Sequence, residues 1–203
     1  SYTKVEQEGR PARAAEFSVQ DPDGYMLTFK PYQRPSERIL QKTTEPATVA
    51  YIRHRGSYAE IGPLFLKLFE WANRKGIAVS GPPLGIFYDD PSRTPVEKQR
   101  SEACIRIEGE ALPERRIRIK KLDPVDVACI THLGPMREYP ATYGKLIRWI
   151  ETNHYATAGP TYEVYYGTPT VEKGELIAHS EIQIPIRRIG ESEENPRHDK
   201  ALR

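Results

Sequence analysis

The stretch VAYIRHRG (residues 49–56) recurs 78 residues later as VACITHLG (residues 127–134), and this recurrence decides the predicted fold. Both copies are rich in residues that strands favour, and each ends at a glycine that breaks the strand. The same offset relates GPPLGIFYDDP (residues 81–91) to GPTYEVYYGTP (residues 159–169). Because the register holds over so much of the chain, we predict two copies of one supersecondary unit.

Each copy has the pattern of one strand, one amphipathic helix and two further strands. After each glycine, apolar side chains recur at the i, i+3, i+4, i+7 spacing of a helix face. The last strands match with a slip of one residue, SEACIRI (residues 101–107) against SEIQIPI (residues 180–186). The prediction is an α+β fold of two pseudo-symmetric β-α-β-β repeats with a largely antiparallel sheet.

Repeats at about residues 36–110 and 114–188 would form one domain, residues 36–188. Residues 1–35 have no counterpart in the repeat, and we expect a short hairpin-like N-terminal extension there. The remaining residues, 189–203, are polar and charged, which predicts a flexible tail.

Composition excludes several classes of protein. The chain has 203 residues, 38% of them hydrophobic, which suffices for a core without disulfides or metal. A formal net charge of only +2 gives no general electrostatic case for nucleic acid. Apolar runs are too short for a membrane helix, and the first ten residues lack the apolar region of a secretory signal. Both cysteines, Cys104 and Cys129, lie in strand-like runs, so we expect buried free thiols and a cytoplasmic protein.

The repeated stretches also resemble a known family. YIRHRGSYAEIGPLFLKLFEWANRKGI (residues 51–77), GPPLGIFYDDP, GPTYEVYYGTP and EIQIPI are similar to the GyrI-like small-molecule-binding family, over about residues 36–188. The resemblance implies a ligand cleft on the pseudo-dyad between the repeats. It also implies that Glu163 reaches into this aromatic cleft, which takes lipophilic and often cationic compounds. Family members occur alone or behind DNA-binding heads, and no helix-turn-helix pattern occurs here. We therefore expect no direct nucleic-acid binding, with a separate regulator as a candidate partner.

A second, shorter resemblance concerns FSVQDPDGYMLTF (residues 17–29), which is similar to the last strand of glyoxalase/bleomycin-resistance domains. Thr28 stands where that motif would carry a metal-ligating glutamate. The residues themselves predict two short strands joined by a turn at residues 21–24. The five histidines show no metal-ligand spacing, and we expect neither a metal nor another cofactor.

Comparison of the two middle strands singles out one acid. Side chains alternate between the faces of a strand, so Gly85 and Phe87 of the first copy lie on one face, and so do their matches in the second copy, Glu163 and Tyr165. We infer that Gly85 leaves room and that Glu163 supplies one off-centre charge. The other face carries apolar or aromatic pairs, and we expect the helices to cover it: Leu84 and Tyr162, Ile86 and Val164, Tyr88 and Tyr166.

Glu163 could also be an edge-strand residue that points to solvent or pairs with an arginine. Inside an aromatic cleft it would attract a flat, cationic ligand, and burial would raise its pKa into the range of a general base. Phe87 and Tyr165 are the strongest further candidates for ligand contact. The remaining candidates are aromatic residues on or before the helices, together with one on a strand: Tyr58, Phe65, Tyr139, Tyr143, Trp71, Trp149 and Tyr51. For the two matched tryptophans, core packing is the alternative.

Three functions follow from these residues and the resemblance. The first is polyspecific binding of hydrophobic, cationic small molecules such as drugs and other xenobiotics. The second is hydrolysis of a strained, cyclopropanoid-type electrophile, with Glu163 as the general base and Tyr165 or Tyr143 as the candidate proton donor. The third is a protein-interaction or gyrase-modulating module. The sequence does not choose between a binding protein and an enzyme.

Overall fold

The computed structural model describes residues 38–190 and the backbone of residues 17–20 and 26–29. The chain divides into two units, Ser1–Ser36 and Glu37–Arg203. In the first, β1 (Phe17–Gln20) pairs antiparallel with β2 (Met26–Phe29). The turn predicted between them and the tail predicted from residue 191 onward lie outside the described residues.

Within residues 38–190, the chain forms two helices and one large antiparallel sheet. Along the chain the elements are β3 (Leu40–Thr43), β4 (Ala47–Arg55), α1 (Gly62–Lys75), β5 (Leu84–Phe87), β6 (Arg100–Arg106), β7 (Ile117–Leu122), β8 (Asp126–Pro135), α2 (Tyr139–Thr152), β9 (Tyr155–Thr157), β10 (Thr161–Tyr165), β11 (Thr170–Glu172) and β12 (Glu175–Arg188).

The sheet has the strand order β3-β8-β12-β10-β5-β6-β4-β7, and β9 and β11 both pair with β12. Every pair is antiparallel, and the sheet does not close on itself. The predicted α+β class with an antiparallel sheet is confirmed. At its centre β5 pairs with β10, so that Gly85 lies directly opposite Glu163. Strands from the two halves of the chain therefore meet at the predicted site.

Both helices begin with a proline in their first turn, where its missing N–H costs nothing. Before α1, residues Tyr58–Glu60 form a single 3-10 turn, and the Ser57 hydroxyl accepts a hydrogen bond from the Ala59 N–H at 3.3 Å. This short turn lets Pro63 lie near the start of α1 rather than inside it. Among the described residues, no helix is long and apolar enough to cross a membrane.

Two core clusters lie between the helices and the sheet. Leu64, Leu68 and Trp71 of α1 pack on β4 and β6, and Leu146 and Ile150 of α2 pack on β8 and β12. These residues recur at the spacing of one helix face, so their burial stabilises both the helix and the sheet beneath it.

A third cluster lies on the opposite face of the sheet and corrects one expectation. It contains Leu84, Ile86 and Val164, whereas Phe87 belongs to the cluster under α1. The helices therefore cover the face of Glu163, not the more apolar face. Hydropathy did not reveal this because the face away from the helices is buried as well.

Candidate ligand-binding site

Glu163 lies at the centre of the sheet, on the face that carries the helices. Its strand is hydrogen-bonded on both sides, to β5 and to β12, so it is not an edge strand. Only 9% of Glu163 is exposed. Tyr143 of α2 donates a hydrogen bond to Oε1 at 2.5 Å, and Tyr165 of the same strand donates to Oε2 at 2.9 Å. Each carboxylate oxygen therefore has one phenol partner.

Burial dominates the electrostatics of this group. It raises the pKa of Glu163, and the hydrogen bonds from the two tyrosines act against that rise. Burial, followed by the nearby carboxylate charge, raises the pKa of Tyr143 and of Tyr165 well above the ordinary value, so both keep their protons. Among the described residues, no cationic side chain pairs with Glu163.

A second buried glutamate shows the opposite arrangement. Glu102 on β6 is 2% exposed and lies on the face away from the helices. It accepts hydrogen bonds from Arg53 Nε at 3.1 Å and from the Tyr88 hydroxyl at 2.9 Å, and it pairs with the ammonium of Lys120. Its charge is therefore balanced within the protein, as buried charges usually require. Within residues 38–190, the hydrogen-bond partners of Glu163 are all neutral.

Aromatic rings from the first half of the chain pack beside Tyr165, one of the two tyrosines that bond the Glu163 carboxylate. A Cβ atom built on Gly85 would lie 2.7 Å from Cε2 of Phe87 and 3.0 Å from the Tyr165 hydroxyl. The Tyr58 ring meets the Phe87 ring edge-on with centroids 4.8 Å apart, and Phe65 of α1 meets Tyr165 in the same way at 5.5 Å. The room that we expected Gly85 to leave is thus taken by Phe87 and Tyr165.

Tyr139 lies one turn before Tyr143 on the same face of α2. Its hydroxyl shares a hydrogen bond of 2.6 Å with Ser180 of β12, and burial raises its pKa to about 12. The Tyr139 and Tyr143 rings are 6.4 Å apart, and His132 of β8 packs on Tyr139 at 4.3 Å. Tyr139 therefore lies beside the group around Glu163 and holds its own polar partner.

The family model of the GyrI-like small molecule binding domain matches residues 39–187. The chain belongs to the GyrI-like family. The match runs from the residue before β3 almost to the end of β12, so it includes the whole group around Glu163.

Solved structures with the same fold extend this result. The C-terminal domain of EcmrR has a TM-score of 0.64 and 18% identity, over 75% of this GyrI-like chain and 98% of that chain. EcmrR in complex with DNA has a TM-score of 0.65 and 16% identity, and this chain covers only 58% of it. A hydrolase encoded by lin2189 of Listeria innocua has a TM-score of 0.56 and 10% identity, over 75% and 93% of the two chains. A search of curated proteins found no match. Such identities show a shared fold and no more.

The GyrI-like chain places most of its predicted site residues in one group, but not all. Tyr51 packs with the cluster on the opposite face, below the ammonium of Lys120, so the expectation that it reaches the Glu163 cleft is corrected. It fails because alternation along β4 turns Tyr51 away while Ala50 and Ile52 face α1. Trp71 is almost fully buried in the core under α1.

Trp149 also has a packing role, since it stacks on Tyr155 with ring centroids 5.9 Å apart. Sequence reasoning missed Ser180, which is fully buried and bonds Tyr139. Two sequence features could have predicted this bond. Ser180 matches Ser101 of the first copy, and Tyr139 replaces Ile61 on the helix that covers it. A hydroxyl pair was thus possible in one half of the chain only.

Two further observations concern the rest of the described chain. A surface pocket of about 320 Å³ is lined by residues such as Thr48, Ser80 and Arg106, and by none of the predicted site residues. Within residues 38–190, no three His, Cys, Asp or Glu side chains lie together as metal ligands would.

Proposed function

We propose that this GyrI-like chain binds hydrophobic, cationic small molecules at Glu163, and that it accepts many such compounds. The observation that carries the proposal is that the buried Glu163 carboxylate is bonded by two phenols, whereas Glu102, the other buried glutamate of residues 38–190, is paired with cations. A carboxylate without an internal countercharge offers strong attraction to a cation that can itself leave water.

The neighbouring rings suit a flat, lipophilic ligand. Tyr58, Phe65, Tyr143 and Tyr165 are all partly exposed, so they stand between the carboxylate and solvent. Aromatic faces attract cations, and large rings contribute apolar contact area. Tyr58 meets Phe87 edge-on and Phe65 meets Tyr165 edge-on, so a ligand would enter by displacing such pairs, and different ligands could be met by different ring positions. This supports polyspecific binding.

A pair of dyes of similar shape tests the charge preference. Crystal violet is a triarylmethane cation, and its leuco form is uncharged near pH 8. Equilibrium dialysis of both against wild type and Glu163→Gln gives the contribution of the carboxylate, and Glu181→Gln is the matched control. Glu181 carries the same charge but pairs with Lys42 on the face away from the helices.

The expected loss can be worked from Coulomb's law. An ion pair at about 4 Å and an effective dielectric of about 20 gains up to about 4 kcal/mol. Desolvation of both ions takes back roughly half, which leaves about thirtyfold in Kd. We expect Glu163→Gln to lose about thirtyfold in affinity for crystal violet and to bind the leuco form as wild type does. Glu181→Gln should bind both dyes like wild type. Equal binding of both dyes by wild type and Glu163→Gln would overturn the proposal.

A hydrolase is the second candidate, and the raised pKa of Glu163 favours it. A carboxyl group with a pKa nearer neutrality can accept a proton from water, and Tyr165 could return a proton to the leaving carbon. Incubation with a strained cyclopropane and mass analysis for product plus one water tests this candidate. Turnover in wild type that Glu163→Gln abolishes would make the protein an enzyme; binding without product would leave it a binding protein.

The proposed compartment is the cytoplasm, since Cys104 and Cys129 are both free and buried. A separate regulator remains the proposed protein partner, by analogy with the EcmrR C-terminal domain, which forms part of a longer chain.

A further inference from the structure

Two hydroxyl groups attach the start of α2 to two neighbouring strands. Tyr139 bonds Ser180 on β12, and one turn later Tyr143 bonds Glu163 on β10. The two strands pair directly, with Ser180 opposite Tyr165 and two residues along from the partner of Glu163. No side chain caps the N-terminus of α2. The position of its first turn therefore depends on contacts such as these.

The first half of the chain lacks both attachments. Ile61 and Phe65 stand at the positions of Tyr139 and Tyr143, and Gly85 stands at the position of Glu163. Ser101, which matches Ser180, is buried there, and its hydroxyl has no hydrogen-bond partner in the part of the chain that the structure describes. An unpaired buried hydroxyl costs free energy, yet the first half keeps its serine without a tyrosine above it. The need to pair a buried serine therefore does not by itself explain the tyrosine in the second half. The tyrosine is present where the glutamate is present.

We propose that the Tyr139–Ser180 hydrogen bond is a positioning device that holds the Tyr143 hydroxyl on Glu163. Tyr139 and Ser180 thus become positioning residues rather than ligand contacts, and the inference rests on the proposed function of Glu163. If Tyr139 lost its partner, the first turn of α2 could shift, and the 2.5 Å contact between Tyr143 and Glu163 would lengthen.

Several other polar or titratable groups lie close to Tyr139 and Glu163. Tyr139 and Tyr143 face Glu163 from α2, and Tyr165 faces it from β10 itself. His132 contacts the Tyr139 ring, and its Nδ1 lies 2.8 Å from the Thr142 hydroxyl. These two contacts attach β8 to the first turn of α2 as well. Among the described residues of this group, Glu163 is the only carboxyl group, and burial raises its pKa and lowers the pKa of His132.

The test follows the ionisation of Glu163 directly, by carboxyl ¹³C NMR of glutamate-labelled protein. Ser180→Ala and Tyr139→Phe should each move the Glu163 titration to higher pH by about 0.5 unit, because they weaken one of the two hydrogen bonds that stabilise the carboxylate. The double variant should move it no further than either single variant. Ser101→Ala, the matched change in the other half, should leave it in place.

Crystal violet binding over the same pH range supplies the second measurement. In wild type, affinity should rise as Glu163 loses its proton, and Ser180→Ala should shift that rise upward with the NMR titration. An unshifted or lowered Glu163 titration in Ser180→Ala and Tyr139→Phe, or an equal shift in Ser101→Ala, would overturn the inference. If the titration shifts as expected but wild type binds no dye, the positioning role stands and the proposed function fails.

Discussion

Replacing Gly85 by alanine tests the packing around Glu163 most directly. The new Cβ would lie 2.7 Å and 2.9 Å from two carbons of the Phe87 ring and 3.0 Å from the Tyr165 hydroxyl. Carbon atoms in contact normally stand about 3.5–4.0 Å apart, so the Phe87 ring would have to move by about 1 Å. Phe87 is 9% exposed and packs on the Tyr58 ring, so it has little freedom to do so.

The loss can be estimated from two contributions. Overpacking of a filled core costs about 1–3 kcal/mol. Displacement of Tyr165 also weakens its hydrogen bond to Glu163, and bonds to charged groups are worth about 1.5–3 kcal/mol. Since partial relaxation relieves both, we expect Gly85→Ala to lower the free energy of unfolding by about 2–3 kcal/mol. That is a large part of the total stability of an ordinary domain, about 5–15 kcal/mol.

Urea denaturation followed by far-UV circular dichroism measures the change. Gly144→Ala is the control, because Gly144 lies inside α2 and a Cβ there meets no atom within 4 Å. Alanine should stabilise that helix by up to about 1 kcal/mol. The two substitutions should therefore have opposite signs. A loss below about 0.5 kcal/mol for Gly85→Ala would refute the idea that Phe87 and Tyr165 fill the space over the central strands.

Three further predictions follow from the rest of the structure. Lys120→Met should cost about 1–3 kcal/mol of unfolding free energy because it removes a cation from fully buried Glu102. Lys42→Met breaks the more exposed pair with Glu181 and should cost under about 1 kcal/mol. Urea titration of both variants checks the order. Burial lowers the pKa of His132, so the unfolded chain binds a proton there more readily than the folded chain does. Stability should therefore fall as the pH drops below about 6.5. His132→Gln should make that fall shallower in urea midpoints measured from about pH 8 to about pH 5. Burial also raises the pKa of both cysteine thiols, so Ellman's reagent should modify neither in the folded protein and both in urea; rapid labelling of the native state would contradict this.

Much of the site could be predicted from the sequence because the chain contains two versions of the same strand. The repeat matched Glu163 and Tyr165 with Gly85 and Phe87, and alternation put all four on one face; the register of β5 and β10 sets Glu163 directly opposite Gly85. The divergence of Gly85 from Glu163 marked the acid without any knowledge of the fold. The helix residues Tyr139 and Tyr143 were selected because tyrosines replace Ile61 and Phe65, and both do bond polar partners on the sheet.

Sequence by itself therefore determined the classes of the elements, the family and the residues that share a face with Glu163. These depend on local periods of 2 and 3.6 residues, which are written into the chain. Only the tertiary structure decided which face the helices cover, that Tyr51 points away from Glu163, and that Phe87 fills the space over Gly85. Alternation says which side chains point the same way, but not what lies above them. Here the centre of the sheet is buried on both faces, so hydropathy could not tell them apart, and the packing of whole elements made the choice.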